Sequence, residues 1–301
     1  MKIIYSPLYE VDIGPHVYPT TKYRLVNDEL SRRRAGSTCP PSAITVIEPE
    51  PASWQDLALV HTADYLDKVR NGTLSPDEIR ELELPWSPQM VDGFRLMAGG
   101  TVTGARLAVD SDRIVAHLGG GFHHAFANHG EGFCLFNDVA VAIRVLQRDR
   151  ALERAAVVDC DVHHGNGTAF IFDGDSSVFT FSIHQQHNYP MFKPRGSLDI
   201  NLRDGTGDRE YLDKLQGGLV RTLASSPQIV FYLAGADPYE GDQLGGLALT
   251  FDGLRRRDRM VLDAVRKADV PIVITLAGGY ARRVEDTVAI HVATIEEAVK
   301  S

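Results

Sequence analysis

A chain of 301 residues with a formal charge of −9, 44% apolar and 24% charged residues has the makeup of a globular protein large enough for one sizeable core. The acidic balance excludes nucleic acid as the main ligand, because phosphate recognition needs a basic footprint, and no apolar run reaches the roughly 20 residues of a membrane span. Cys39, Cys134 and Cys160 form no CxxC pair, and the opening MKIIYSPLY lacks the features of a secretion signal, which points to a reducing cytoplasm.

Apolar strands alternate with amphipathic helices along the chain. In order, the pattern predicts a strand at Lys2–Tyr5, a solvated loop or helix end at Arg32–Arg34, a strand at Ala43–Ile47 and a helix at Ala58–Arg70. A loop-rich surface excursion follows over Asn71–Pro88, then a helix at Pro88–Val109, a strand at Ile114–Leu118 and a helix at Asn137–Arg148. The remainder reads as strands at Ala155–Cys160 and Val178–Ile183, a helix at Asp208–Ala224, a strand at Ile229–Leu233, a helix at Phe251–Lys267, a strand at Pro271–Leu276 and a helix at Val284–Val299. Several strands are nearly continuous apolar runs, as expected of parallel strands covered on both faces. The expected fold is therefore a three-layer α/β/α parallel sheet, with residues 1–301 forming one domain.

In such sheets ligands gather beyond the carboxyl ends of the strands. There the sequence places LGGGFHH, DCDVHHGNG, LAGADPYEGD and LAGGY after four of the predicted strands. Asp161 and His163 lie two apart in extended chain, so both side chains can face one cation. Asp237 offers a third ligand, and an Asp/His set with three protein donors suits Zn²⁺ or Fe²⁺ with room left for water and substrate. A lone DxH pair is weak; it gains weight from its neighbours. His123 and His124, after three glycines that permit an irregular turn, are candidates for shared general acid and base work. Of the second pair, His163–His164, only His163 is expected at the metal. Tyr280, after Gly278 and Gly279, is a candidate oxyanion donor. Phe133 and Tyr189 are candidate walls of a narrow apolar channel. The acidic surface suits cationic substrates such as lysine-rich peptides or polyamines, although solubility alone is the commoner reason for such charge.

Taken together, GGGFHHA, EGFCLFND, VVDCDVHHGNGT, GADPYEGDQLGG and LAGGY resemble the histone deacetylase family of the arginase–deacetylase superfamily, in the family's order and over nearly the whole chain. GGGFHH, ADPYEGDQLGGL, YSPLY and VHTADYLDKV look most like its class IV branch. The resemblance implies a mononuclear metal-dependent hydrolase that removes acyl groups from lysine-like amines, with an acyl-lysine peptide or protein as partner, or an acylated polyamine. It implies that Asp161, His163 and Asp237 hold the metal, that His123 and His124 are the acid–base pair with His124 the base, and that Tyr280 supports the oxyanion. It further implies that Asp159 hydrogen-bonds His123, that Asn166 backs His124, and that Phe133 and Tyr189 flank the substrate. Asp159, Asp161, His163, Ser182 and Ile183 match the surroundings of a structural K⁺.

Three departures from the class I pattern stand out. Asn166 takes the place of an aspartate, which implies a less basic His124 for lack of a charge behind it. Tyr189 replaces a phenylalanine, and the rim aspartate of class I enzymes has no clear match. The class IV resemblance also implies turnover of long fatty acyl chains, with Gly120, Gly121, Cys134 and Leu135 as candidate cavity lining and a bulky residue at Gly121 hurting long chains first. An arginase-type binuclear manganese enzyme would need carboxylates where this chain has Gly165 and Gly235. A non-catalytic binding module would be expected to have lost a ligand or the tyrosine, and all are present.

Overall fold

Ala155–Asp159, Val230–Leu233 and Ile272–Thr275 are buried at every residue, the mark of strands covered on both faces. The computed structural model describes residues 1–35 and 44–300, so Cys39 and Ala43 lie outside the described residues. In chain order the elements are β1 (Lys2–Ile4), α1 (Lys22–Ala35), β2 (Thr45–Ile47), α2 (Trp54–Leu57), α3 (Ala63–Asn71), α4 (Pro76–Leu82) and α5 (Pro88–Leu107). There follow β3 (Ile114–His117), α6 (Asp138–Arg148), β4 (Ala155–Asp159), α7 (Asn166–Ile171), β5 (Val178–Gln185) and β6 (Leu198–Leu202). The last elements are α8 (Asp208–Ala224), β7 (Val230–Leu233), α9 (Phe251–Lys267), β8 (Ile272–Thr275) and α10 (Val284–Lys300).

The eight strands among the described residues are all parallel, in the order β2-β1-β3-β8-β7-β4-β5-β6. Helices α5 and α6 pack as a pair, α1, α10, α9 and α8 pack in a row, and both groups lie against the sheet. The result is the expected parallel sheet flanked by helices. Because the chain crosses from β3 to β4 and only later inserts β7 and β8 between them, the carboxyl ends of β3, β8, β7 and β4 stand side by side. This is the switch-point geometry at which open α/β sheets bind ligands.

The structure corrects several boundaries. The excursion over Asn71–Pro88 contains α4, which starts with a Ser75/Glu78 capping box and Pro76 in its first turn. The helix expected at Ala58–Arg70 begins later, as α3 after the Thr62 cap, and the short α2 ends at Leu57, before the expected range. Helices α1, α2 and α7 and strand β6 were not foreseen. Arg32 and Arg33 are exposed on the last turns of α1, where both pair with Glu29.

The break between α2 and α3 buries His61. Its Nδ1–H donates to Phe126 O (3.0 Å) and its Nε2 accepts from Asn137 N (3.1 Å), which ties the tandem-histidine loop to the start of α6. Burial pushes the imidazole down to about 4. The folded state therefore disfavours a proton that the unfolded chain accepts near 6.5. This contribution is complete above pH 6.5 and is lost as pH falls from there to 4, for a total of about 3 kcal/mol. Denaturant titrations across this window should show the wild type losing more stability than His61→Gln. Parallel curves would mean that His61 does not titrate in this way.

Candidate functional site

The glycine turn after β3 is held by a residue that sequence reasoning missed. Asp138, at the start of α6 and fully buried, accepts from Gly121 N (3.0 Å) and Phe122 N (2.8 Å). Gly120 and Gly121 have φ of +70° and +85°, which a side chain would strain. A Cβ on Gly121 would lie 2.8–3.0 Å from Ala277. The expectation that a bulky residue at Gly121 would hurt long acyl chains first is thus replaced: Gly121 lets two backbone loops touch, and any side chain there disturbs the turn itself. On the other side, buried Lys22 donates to Ala277 O (2.6 Å). Its amine is pushed down to about 8 by burial, against the pull of Asp237 and Asp161.

Asp161, His163 and Asp237 converge beyond β4 and β7, all buried, with one ligand atom from each within 4.8 Å of the others. His163 Nδ1 is 3.0 Å from Asp161 Oδ1 and 3.5 Å from Asp237 Oδ2. The spare carboxylate atoms are oriented by backbone donors: Gly278 N to Asp161 Oδ2 (2.8 Å), His163 N to Asp161 Oδ1 (3.0 Å) and Val162 N to Asp237 Oδ1 (2.9 Å). Asp237 Oδ2 alone has no hydrogen-bond partner, although it is buried. Burial and the charge of Asp161 raise the Asp237 carboxyl to about 7. Two buried carboxylates, one with an oxygen left unpaired, and an imidazole between them fit a divalent cation by the chemistry of their donors. A methyl group on Gly278 would collide with both carboxylates, so only glycine leaves the cluster its space.

His123 and His124 lie beside this cluster with ring centroids 4.0 Å apart. His123 Nδ1 faces Asp159 Oδ2 at 2.7 Å, and since a carboxylate only accepts, Nδ1 is the donor. Burial works to lower His123, but Asp159 and Asp161 outweigh it and raise the imidazole to about 9. His124 Nδ1 pairs with Asn166 Oδ1 at 2.7 Å. Burial and the neighbouring His123 and His163 push His124 far below its usual range. The environments thus drive the two imidazoles apart, one held protonated and one held neutral. Asn166 is itself backed: its Nδ2 donates to Glu131 Oε1 (2.8 Å), which also accepts from Tyr189 OH (2.9 Å). The absence of a charge behind His124 holds only for its immediate partner; a carboxylate stands one residue further back. His164 turns away from the cluster to Asp199 (3.2 Å). Ser182 pairs in register with Asp159, and its hydroxyl contacts His184 Nδ1 (2.9 Å).

Tyr280 follows β8, fixed by Asp242, which accepts from its backbone N–H (2.7 Å). Burial, with Asp161 and Asp237 nearby, raises the phenol far above its ordinary value, so the group remains a donor. Phe133, held at φ +67°, and Tyr189 line a channel of about 220 Å³ with Leu244 and Glu83. Glu83 is therefore the carboxylate at the channel where no rim aspartate was matched in sequence. At the site itself the space narrows to about 20 Å³, between His123, His124, Asp161 and Tyr280 on one side and Tyr18, Tyr23, Gly120, Gly121, Cys134 and Ala277 on the other, with Leu135 outside its lining. That is room for little more than one water-sized group.

The histone deacetylase domain model matches residues 16–295. An uncharacterized protein of Picosynechococcus sp. is 39% identical over 96% of this chain and 95% of its own length. Histone deacetylase 2 of Arabidopsis thaliana is 29% identical over 93% of this chain and 74% of that protein. The crystal structure of the HDA15 HD domain superposes with a TM-score of 0.82 at 25% identity, covering 100% of this chain and 91% of that one. With its fold, its strand-end cluster and its match over most of its length, the chain belongs to the histone deacetylase family, a family of hydrolases.

Proposed function

We propose that this protein is a lysine deacylase, one catalytic domain of class IV type, which hydrolyses the side-chain amide of an acetylated lysine in a peptide or protein. The reading rests on one juxtaposition: a buried three-donor cluster and a neutral imidazole meet at the inner end of a channel walled by Phe133 and Tyr189. Asp161, His163 and Asp237 would hold Zn²⁺, or Fe²⁺, and Asp159, Asp161, His163, Ser182 and Ile183 would surround a structural K⁺. When bound, the divalent ion supplies Lewis-acid polarisation and a more acidic water.

The chain's own groups do the rest. His124, its Nδ1–H committed to Asn166, presents a free Nε2 lone pair to take the proton of the attacking water. Tyr280 donates to the oxygen on which charge develops. His123, kept protonated by Asp159, delivers a proton to the departing amine. Phe133 and Tyr189 exclude water and align the apolar lysine stem.

The narrow space at the site supports a short acyl group in place of the long chains that the class IV resemblance implies. The test is a hydrolysis panel of acyl-lysine peptides and acylpolyamines with zinc-loaded protein. kcat/KM should be highest for acetyl-lysine peptide and should fall steeply beyond about four carbons, because the cavity holds roughly one water-sized group. Faster turnover of a twelve-carbon chain would refute the short-acyl reading. A preference for acetylpolyamine over every peptide would replace lysine with a free polyamine, a reading that Glu83 in the channel wall also supports.

A further inference from the structure

We infer that Glu131 is a positioning residue that sets the tautomer of His124 through the amide of Asn166. The inference rests on His124 being the base, and it extends that reading one residue outward. An asparagine behind a histidine is ambiguous on its own, because its amide can present either oxygen or nitrogen. With the oxygen turned to His124, Nδ1 carries the hydrogen and Nε2 is a free base. With the nitrogen turned inward, Nδ1 must accept, the hydrogen moves to Nε2, and the base is blocked.

Glu131 removes the ambiguity. Its carboxylate only accepts, so the Asn166 group facing it at 2.8 Å must be the NH₂, and the oxygen must face His124 at 2.7 Å. The same Oε1 accepts from Tyr189 OH at 2.9 Å, and Oε2 lies 3.5 Å from His129 Nε2. The carboxylate is thus held from both sides, with its side chain 14% exposed. Asn166 sits at the start of α7, fully buried, and Glu131 is bridged to Cys134, so both ends of the relay are anchored in backbone. One acceptor therefore orients the imidazole and pins a wall of the channel.

The test reads the tautomer directly. In zinc-loaded protein labelled with ¹⁵N-histidine, the His124 ring resonances, identified by their loss in His124→Gln, should report the Nδ1–H form. Glu131→Ala frees the amide; a mixture of tautomers should appear and kcat should drop about ten- to a hundredfold, the loss seen when the outer partner that orients a metal-bound histidine is removed. Zinc content should be unchanged, since no ligand is touched. Glu131→Gln keeps an acceptor oxygen without the charge, so it should restore the Nδ1–H form and most of kcat. A pure Nδ1–H tautomer with wild-type kcat in Glu131→Ala overturns the inference. So does a Glu131→Gln protein as impaired as Glu131→Ala, since charge and not orientation would then be the cause. A wild type that hydrolyses no acyl amine would sink the functional reading instead, and the tautomer, measured without substrate, would still be read.

Discussion

Asp237→Ala is expected to produce a folded protein that retains no divalent ion after mild chelation and has no measurable amidase activity. Asp237 supplies the one carboxylate oxygen of the cluster that is buried without a hydrogen-bond partner, so that atom is left for the ion. A polarising ion is worth several kcal/mol to a developing charge, and at 1.36 kcal/mol per tenfold this makes the loss about a thousandfold or more. Asp237→Asn is the companion variant: it keeps an oxygen for Val162 N–H, and so the backbone bond at 2.9 Å, while removing the anion. Both proteins should melt cooperatively and both should lack zinc by elemental analysis. One ion per chain retained in either variant would remove Asp237 from the ligand set.

Tyr280→Phe separates chemistry from metal binding. The substitution deletes one hydroxyl and leaves the ring against Phe133, 5.9 Å between centroids, so the channel wall survives. The backbone bond from Tyr280 N to Asp242 is also untouched. Loss of one oxyanion donor costs ~10²–10³ in turnover. The variant should therefore bind zinc as the wild type does, keep a similar KM and lose kcat by that factor. Wild-type kcat would reduce Tyr280 to a packing residue.

The central strands were legible because they are buried on both faces, which leaves a continuous apolar run ended by glycine, histidine or aspartate. Every motif assigned to a strand end lies at one. The elements that went unseen carry weaker patterns. Helix α1 has polar and charged residues around much of its circumference, β6 alternates two buried ends with a partly exposed middle, and α7 is a six-residue helix. Helix α4 had a readable signal, Ser-Pro-Asp-Glu, and was passed over because a short helix in a proline-containing stretch looks like loop. Within the site, residues that meet through a strand end were found from sequence spacing. Glu131, Asp138 and Lys22 were not, because each acts on backbone or on a second side chain brought near by the fold, and no spacing rule marks such a residue. Glu131 even lies inside a motif, EGFC, whose aromatic drew the attention.

The cluster is assembled from chain segments that are far apart in sequence. Val162 N reaches Asp237 across 75 residues, and Gly278 N reaches Asp161 across 117. The first contact needs β7 beside β4, and the second also needs the segment that follows β8. Loop closure on this scale is slow, and parallel pairings are its usual bottleneck. During synthesis the ribosome would release Asp161 and His163 well before their third partner, and a chain halted before β7 would hold two ligands on an unfinished sheet edge. Capture of the ion therefore waits on the pairing of β7 with β4, and tight zinc uptake timed during refolding would serve as a clock for that step.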